Sequence, residues 1–180
     1  KGVARAQLDI LSGCAVGIQQ IDSLKKLHRE IIHSHGVVDA LFGTGLDREV
    51  AGLQGDIIDL VNECGKRVLS LDIPSGVNGN TGKIMGKAIR AAWTVTFGLP
   101  KIGNLLYPGY ELCGRLYISH ISFPPSLYNA DAIKVQTNDP VKLPPRSRSA
   151  HKGSVGDTLF IAGAANYVGA PLFCSLSFLK

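Results

Sequence analysis

A chain of 180 residues, 45% hydrophobic and 18% charged, has the material for one sizeable core and part of a second domain, which excludes a disordered polypeptide. Its net charge of +5 suits anionic ligands such as nucleotides, but no dense Lys/Arg run interleaved with aromatics argues for nucleic acid. No apolar run is long enough to span a membrane and no signal peptide is visible, so no membrane partner is expected and a cytoplasmic, reducing location is.

In chain order, "VARAQLDILSGCAVG" carries apolar residues at Val3, Ala6, Leu8, Ile10 and Leu11, the spacing of an amphipathic helix that breaks near Gly13. "IDSLKKLHREIIHSH" is a second helix, with Asp22 or Ser23 as its cap. Val37 and Val38 read as a short buried strand that ends at Asp39 and runs into a glycine loop. From Gly55 onward, Ile57, Ile58 and Val61 mark a helix for which Gly65 is the natural C-cap. "RVLSLDIPSG", "AAWTVTFGLPK" and "GRLYISHISF" are three further strands, the last alternating Leu116, Ile118 and His120 against Tyr117, Ser119 and Ile121. The four cysteines, Cys14, Cys64, Cys113 and Cys174, contain no CxxC pair and are expected as buried or half-buried thiols.

Strands alternating with helices, and glycine loops at strand ends, predict a three-layer Rossmann-like α/β fold: a parallel sheet with helices on both faces. From Phe123 the chain turns proline-rich and aperiodic, as a linker does, with one short strand expected over residues 132–135. "GDTLFIAGAANYVGAPLFCSLSFLK" then reads as strand, glycine-rich loop and helix, the start of a second α/β domain. The chain starts at Lys1 rather than Met and stops inside an apolar periodic stretch, which suggests a fragment of a longer protein.

Three loops follow predicted strands: "DALFGTGLDRE", "DIPSGVNGNTG" and "FGLPKIGN". In an open parallel sheet such loops share the ligand-binding edge. The glycines of "GTG" let backbone N–H groups approach an anion, or simply make a strand-to-helix turn. Asp39 and Ser75 are hard oxygen donors for a hard cation, or else helix caps. Asp72 lies close before a proline and is expected on extended backbone, its carboxylate aimed outward to move a proton, hold a hydroxyl or organise the "SGVNG" loop. Lys101 pairs with a phosphate or lies on the surface.

Taken together, "VVDALFGTGLDREVAG", "LDIPSGVNGNTG", "AAWTVTFGLPKIGNLLYPG" and "GRLYISHI" resemble, in order and spacing, the YjeF N-terminal domain of the NAD(P)H-hydrate epimerase family over most of residues 1–122. The tail "HKGSVGDTLFIAGAANYVGAP" resembles the opening of the ribokinase-like, ADP- or ATP-dependent NAD(P)H-hydrate dehydratase domain. The resemblance divides the chain into an epimerase domain (1–122), a linker (123–145) and a truncated dehydratase start (146–180).

The resemblance implies interconversion of the R and S forms of hydrated NADH or NADPH, followed in the full-length protein by nucleotide-driven dehydration of the S form. It implies a potassium ion held by Asp39 and Ser75. It implies substrate contacts from Gly43, Thr44, Gly45, Leu46, Asp47, Arg48, Glu49 and Asp72, and from Ala170 in the second domain; Asp72 is then our candidate for the acid/base residue. Homo-oligomers are compatible with it. The family's "GNNGGDG"-type loop would lie before Lys1, so this chain alone is expected to be inactive in both reactions. The alternative is a non-catalytic scaffold of messenger-RNA decapping that dimerises and binds RNA. The acids and serine at 39, 72 and 75 and the dehydratase-like tail favour the enzyme, and with it no nucleic-acid partner.

Overall fold

The computed structural model describes the chain except for residues 1, 15–16, 22, 129–130, 139–144, 146, 152, 155 and 179–180. It forms two compact units, Lys1–Lys134 and Val135–Lys180.

In the first unit the elements run α1 (Val3–Gly13), α2 (Leu24–His33), β1 (Gly36–Asp39), α3 (Gly52–Glu63), β2 (Arg67–Leu71), β3 (Trp93–Phe97), α4 (Ile102–Leu105), α5 (Gly109–Leu112), β4 (Arg115–Ser119) and α6 (Pro125–Tyr128). The four strands form one sheet in the order β1-β2-β3-β4, every neighbouring pair parallel. Helices flank both faces, so the expected Rossmann-like α/β arrangement is present. Among the described residues no helix is long and apolar enough to cross a membrane.

The local causes are legible. Ser23 caps α2 by accepting the Lys26 N–H at 3.4 Å, whereas Asp22 lies outside the described residues. Gly65 ends α3 at φ 66, a left-handed position that glycine takes without a Cβ clash. That helix begins at Gly52, three residues earlier than the apolar spacing indicates. Its Ile58 and Val61 meet Ile31 of α2, Val68 of β2, and Leu46, Val50 and Ile89 from the loops in one core cluster. Ile58 is wholly buried, worth roughly 1.5–3 kcal/mol relative to an exposed side chain.

Further along the sheet the buried side chains are polar. Ser70, Thr94 and Thr96 are 0% exposed. A hydroxyl without a partner there would cost about 1–3 kcal/mol. Each is bonded: Ser70 to Asp39, Thr94 to the Cys113 carbonyl at 2.8 Å, and Thr96 to Asp72. Buried hydrogen-bonded hydroxyls thus stand among the apolar side chains of β2 and β3.

Several expectations are corrected. Val38 is 62% exposed because β1 is an edge strand, so only Val37 of the pair packs on the core. β4 is the other edge, and Tyr117 and Ile118 on its opposite faces are both exposed. Cys14 and Cys174 are exposed rather than buried: Cys14 is the C-cap of α1, and Cys174 lies in α7, which has no buried residue; Cys64 is half-buried and Cys113 buried. Residues 132–135 form no strand.

In the second unit the helix expected in the tail is α7 (Gly169–Phe178), but residues 157–162 form no strand. A strand exists only where a neighbour takes up its backbone groups. Among the described residues here the one bridge is Ala164 with Tyr167, and Leu159 and Ile161 are exposed. Phe160 meets Phe178 edge-on at 5.7 Å.

Candidate active site

Because β1, β2 and β3 are parallel neighbours, the residues that end them share one edge of the sheet. Asp39 ends β1, Asp72 follows β2, and Lys101 follows β3 after three intervening residues.

Asp39 is 6% exposed and fully bonded. Its Oδ2 accepts the Ser70 hydroxyl at 2.8 Å and the Ser75 N–H at 2.9 Å. Its Oδ1 accepts the Ser75 hydroxyl at 2.6 Å and the Leu41 N–H at 3.3 Å. Ser75 Oγ in turn accepts the Phe42 N–H at 2.8 Å. Neither residue caps a helix. They join the end of β1 to the loop after β2.

Among the described residues no group of three His, Cys, Asp or Glu forms a metal cluster. A hard monovalent cation asks instead for carboxylate, hydroxyl and carbonyl oxygens, and the Asp39–Ser75 pair fits that demand. The Ser75 hydroxyl has a second acceptor, the Phe42 carbonyl at 3.2 Å. Its proton can turn there and leave both Asp39 Oδ1 and Ser75 Oγ to a cation.

Asp72 differs in backbone and in bonding. Its φ is 71, so it is left-handed and not extended. Pro74 restricts its immediate predecessor, Ile73, and leaves Asp72 free to turn. Ile73 N–H closes onto the Leu71 carbonyl at 2.9 Å, a three-residue turn centred on Asp72 and strained for a non-glycine residue. Asp72 N–H still reaches the Val95 carbonyl at 2.7 Å, so the turn begins where the β2–β3 ladder stops.

The Asp72 Oδ1 atom accepts from Phe97 N–H at 3.1 Å, from the Thr96 hydroxyl at 3.2 Å and from the Lys101 ammonium. No group among the described residues donates to Oδ2. The carboxylate does not organise the "SGVNG" loop, which is held by its own Asn78.

The loop at 43–49 is held at both ends. Phe42 N–H donates to Ser75, Val50 N–H donates to the Met85 carbonyl at 2.8 Å, and Leu46 is buried with its carbonyl on Asn78 Nδ2 at 3.2 Å. Between those anchors, no backbone N–H of residues 43–49 has a short, well-aligned acceptor among the described residues, although residues 44–45 form a turn. Arg48 likewise has no acceptor among the described residues. A Cβ on Gly43 or Gly45 would meet nothing within 4 Å, and neither has a positive φ. The fold does not need these glycines, so the room they leave is available to a ligand. Asp47 and Glu49 are exposed acids beside them, so positive charge in this loop comes from the N–H groups and Arg48 alone. Phe42, Gly43, Gly45, Leu46, Asp47 and Arg48 line a hollow of about 250 Å³.

Residues 39, 43–49, 72 and 75 are therefore tied to one sheet edge by hydrogen bonds. Ala170 sits in α7 of the second unit and is exposed. Sequence reasoning missed Ser70, Thr96 and Asn104. Their signal was present as hydroxyls at alternate positions of buried strands and an amide three residues after Lys101. Burial pushes the Cys113 thiol above its ordinary value, and Asn104, donating to its sulfur at 3.5 Å, pulls the other way.

A parallel sheet with carboxylates, hydroxyls and loop N–H groups at its C-terminal edge defines a Rossmann-like α/β domain with a polar C-terminal edge. A family model described as YjeF-related protein N-terminus matches residues 1–103, and the chain belongs to that family. It is 52% identical over 171 residues to the bifunctional NAD(P)H-hydrate repair enzyme Nnr of Thermofilum pendens, a match covering 95% of this chain and 33% of that protein. The protein of the same name from Moorella thermoacetica is 32% identical over 187 residues, covering 100% of this chain and 35% of the relative. The NAD(P)H-hydrate epimerase of Limosilactobacillus reuteri is 42% identical over 84 residues, 47% of this chain and 40% of the relative. The chain thus spans about a third of the length of the bifunctional relatives.

Proposed function

We propose that this chain carries the epimerase site of a nicotinamide-nucleotide repair enzyme, acting on hydrated NADH or NADPH. Family membership and the names of the relatives give the reaction class. The observation that carries the residue assignment is the Asp72 carboxylate, with one oxygen held by three donors and the other left open.

The hydrated ring bears a hydroxyl on the carbon next to the ring nitrogen, a carbinolamine. Asp72 Oδ2 takes the hydroxyl proton; the C–O bond becomes a carbonyl as the C–N bond breaks and leaves its electron pair on nitrogen. The carboxyl then returns the same proton to that nitrogen. Rotation of the opened aldehyde and reversal of these steps close the ring from the other face. Net change is inversion of one centre, with no oxidant, reductant or added water. Proton transfer by a positioned carboxylate contributes about 10²–10⁴-fold in rate.

The N–H groups of residues 43–49 and Arg48 receive the anionic part of the dinucleotide. Asp39 and Ser75 would hold a potassium ion, which would supply positive charge at the sheet edge. In the full-length protein, an ADP- or ATP-dependent dehydratase follows. Residues 1–122 are the epimerase domain, 123–145 the linker, and 146–180 the start of a ribokinase-like domain in which Ala170 touches substrate. The match to the Thermofilum protein, which covers 95% of this chain, supports placing both parts in one protein.

The test is direct. Separated R and S hydrates of NADH are incubated with the full-length protein in potassium buffer, without nucleotide, and the epimer ratio is followed chromatographically. Either pure form should relax to the same mixture faster than in buffer. A ratio that drifts only at the uncatalysed rate would overturn the reading.

A further inference from the structure

We infer that Lys101 is a positioning residue for Asp72 and not a phosphate ligand, and that buried Asn104 holds the pair in register. The inference rests on the reading of Asp72 as the acid/base group.

An ammonium has three N–H donors. All three of Lys101 are used inside the protein: on Asp72 Oδ1, on the Phe97 carbonyl at 2.8 Å and on Thr96 Oγ1 at 3.2 Å. No donor remains for a phosphate. Moving the ammonium to one would strand the Phe97 carbonyl and remove the strongest partner of Asp72. The Lys101 and Asp72 side chains are each 23% exposed, so both sit well inside the rim of the site.

Asn104 is 0% exposed and joins both residues through their backbones. Its Oδ1 accepts the Lys101 N–H at 2.8 Å, and its Nδ2 donates to the Asp72 carbonyl at 3.3 Å. The helix that carries it is fixed in turn. Gly103 N–H donates to the Gly79 carbonyl at 2.8 Å, and any Cβ on Gly103 would overlap the Asn78 carbonyl oxygen.

The consequence is a carboxylate with one orientation. Three donors converge on Oδ1, so Oδ2 is the atom presented to a reacting hydroxyl. A group already locked costs no reorganisation when the reaction begins, and misplacing it by an ångström can cost on the order of a hundredfold in rate. A phosphate ligand would act differently: its loss weakens binding of ground and transition states alike and raises KM.

The two roles separate in steady-state epimerisation kinetics of the full-length protein. Lys101→Met should lower kcat by at least about tenfold with KM within about twofold of wild type. Asp72→Asn/Lys101→Met should be no slower than Asp72→Asn, because Lys101 acts only through that carboxylate. Added ethylammonium should recover part of the kcat of Lys101→Ala and none of that of Asp72→Asn.

A raised KM with unchanged kcat, unchanged kinetics altogether, or losses that multiply in the double variant would overturn the inference. If Lys101→Met does not fold, Thr96→Val serves instead, since it removes one donor to Oδ1 and one acceptor of Lys101. It should lower kcat about two- to fivefold at constant KM, and wild-type kcat there would equally overturn the inference. A wild-type protein that leaves pure epimers unchanged sinks the functional reading and this inference with it. An active wild type indifferent to Lys101→Met sinks the inference alone.

Discussion

Asp39 and Asp72 close neighbouring strands of one sheet, yet the protein serves them in opposite ways. Asp39 is buried, and its four bonds are spread two to each oxygen. Asp72 is partly open, with three bonds crowded on one oxygen and none on the other among the described residues. Evenly spread donors neutralise a carboxylate and turn it into a joint between loops. One-sided donors aim it. The backbone repeats the contrast: Asp39 sits in regular strand, while Asp72 occupies a left-handed turn. A non-glycine residue held there costs on the order of 1–3 kcal/mol, and such costs persist where function maintains them.

The contrast breaks first at Asp72. Asp72→Asn keeps the size and tolerates the left-handed turn, so the melting temperature should move by only a few degrees. Epimerisation by the full-length protein should fall at least about a hundredfold. An equal loss of stability and activity would make Asp72 a joint like Asp39.

Asp39→Ala adds a large loss of stability to any loss of the cation site. Removing that carboxylate leaves the Ser70 hydroxyl and the Ser75 N–H buried without their partner, at a cost of about 3 kcal/mol in urea unfolding. A variant as stable as wild type would show that the four bonds are incidental.

Two glycines sharpen the comparison further. Gly103→Ala forces a Cβ onto the Asn78 carbonyl and should destabilise by about 1–3 kcal/mol while misplacing the helix that holds Asp72. Gly45→Ala meets no protein atom, so stability should stay within about 0.5 kcal/mol while KM rises. If Gly45→Ala leaves KM unchanged, the 43–49 loop does not receive substrate.

The smallest effect concerns Cys113, buried behind Asn104. Burial holds its thiol above its ordinary value of 9.0, so the folded state keeps the proton that the unfolded state releases. The stability this contributes is fully present below about pH 9 and is lost as pH rises through the folded value. Thiol labelling at pH 8 should modify exposed Cys14 and Cys174 quickly and Cys113 only on unfolding. Fast labelling of Cys113 in the native protein would show that the support behind Asp72 opens.

Much of the fold was legible because a parallel sheet writes itself locally: β-branched runs, an acid or glycine loop after each, and helical spacing between. The acids at 39 and 72 stood out for the same reason, as charges at the ends of apolar runs. The bonding pattern was not legible. Lys101 and Asp72 are 29 positions apart, and nothing local to "GLPKIGN" distinguishes an ammonium that faces solvent from one with three internal acceptors. The turn at Asp72 escaped because the proline restriction falls on Ile73. The tail strand and the buried Val38 failed for a shared reason. Strand propensity says nothing about whether a neighbour is present to cover it or pair with it, and residues 157–162 and the outer side of β1 have none among the described residues.

The most direct measurement is a crystal structure of the full-length protein with hydrated NADH bound in potassium buffer. The carbinol oxygen is expected within about 2.6–3.2 Å of Asp72 Oδ2, with Lys101 still on Oδ1. A carbinol oxygen held by another group, with Asp72 turned away or Lys101 on a phosphate, would contradict the account.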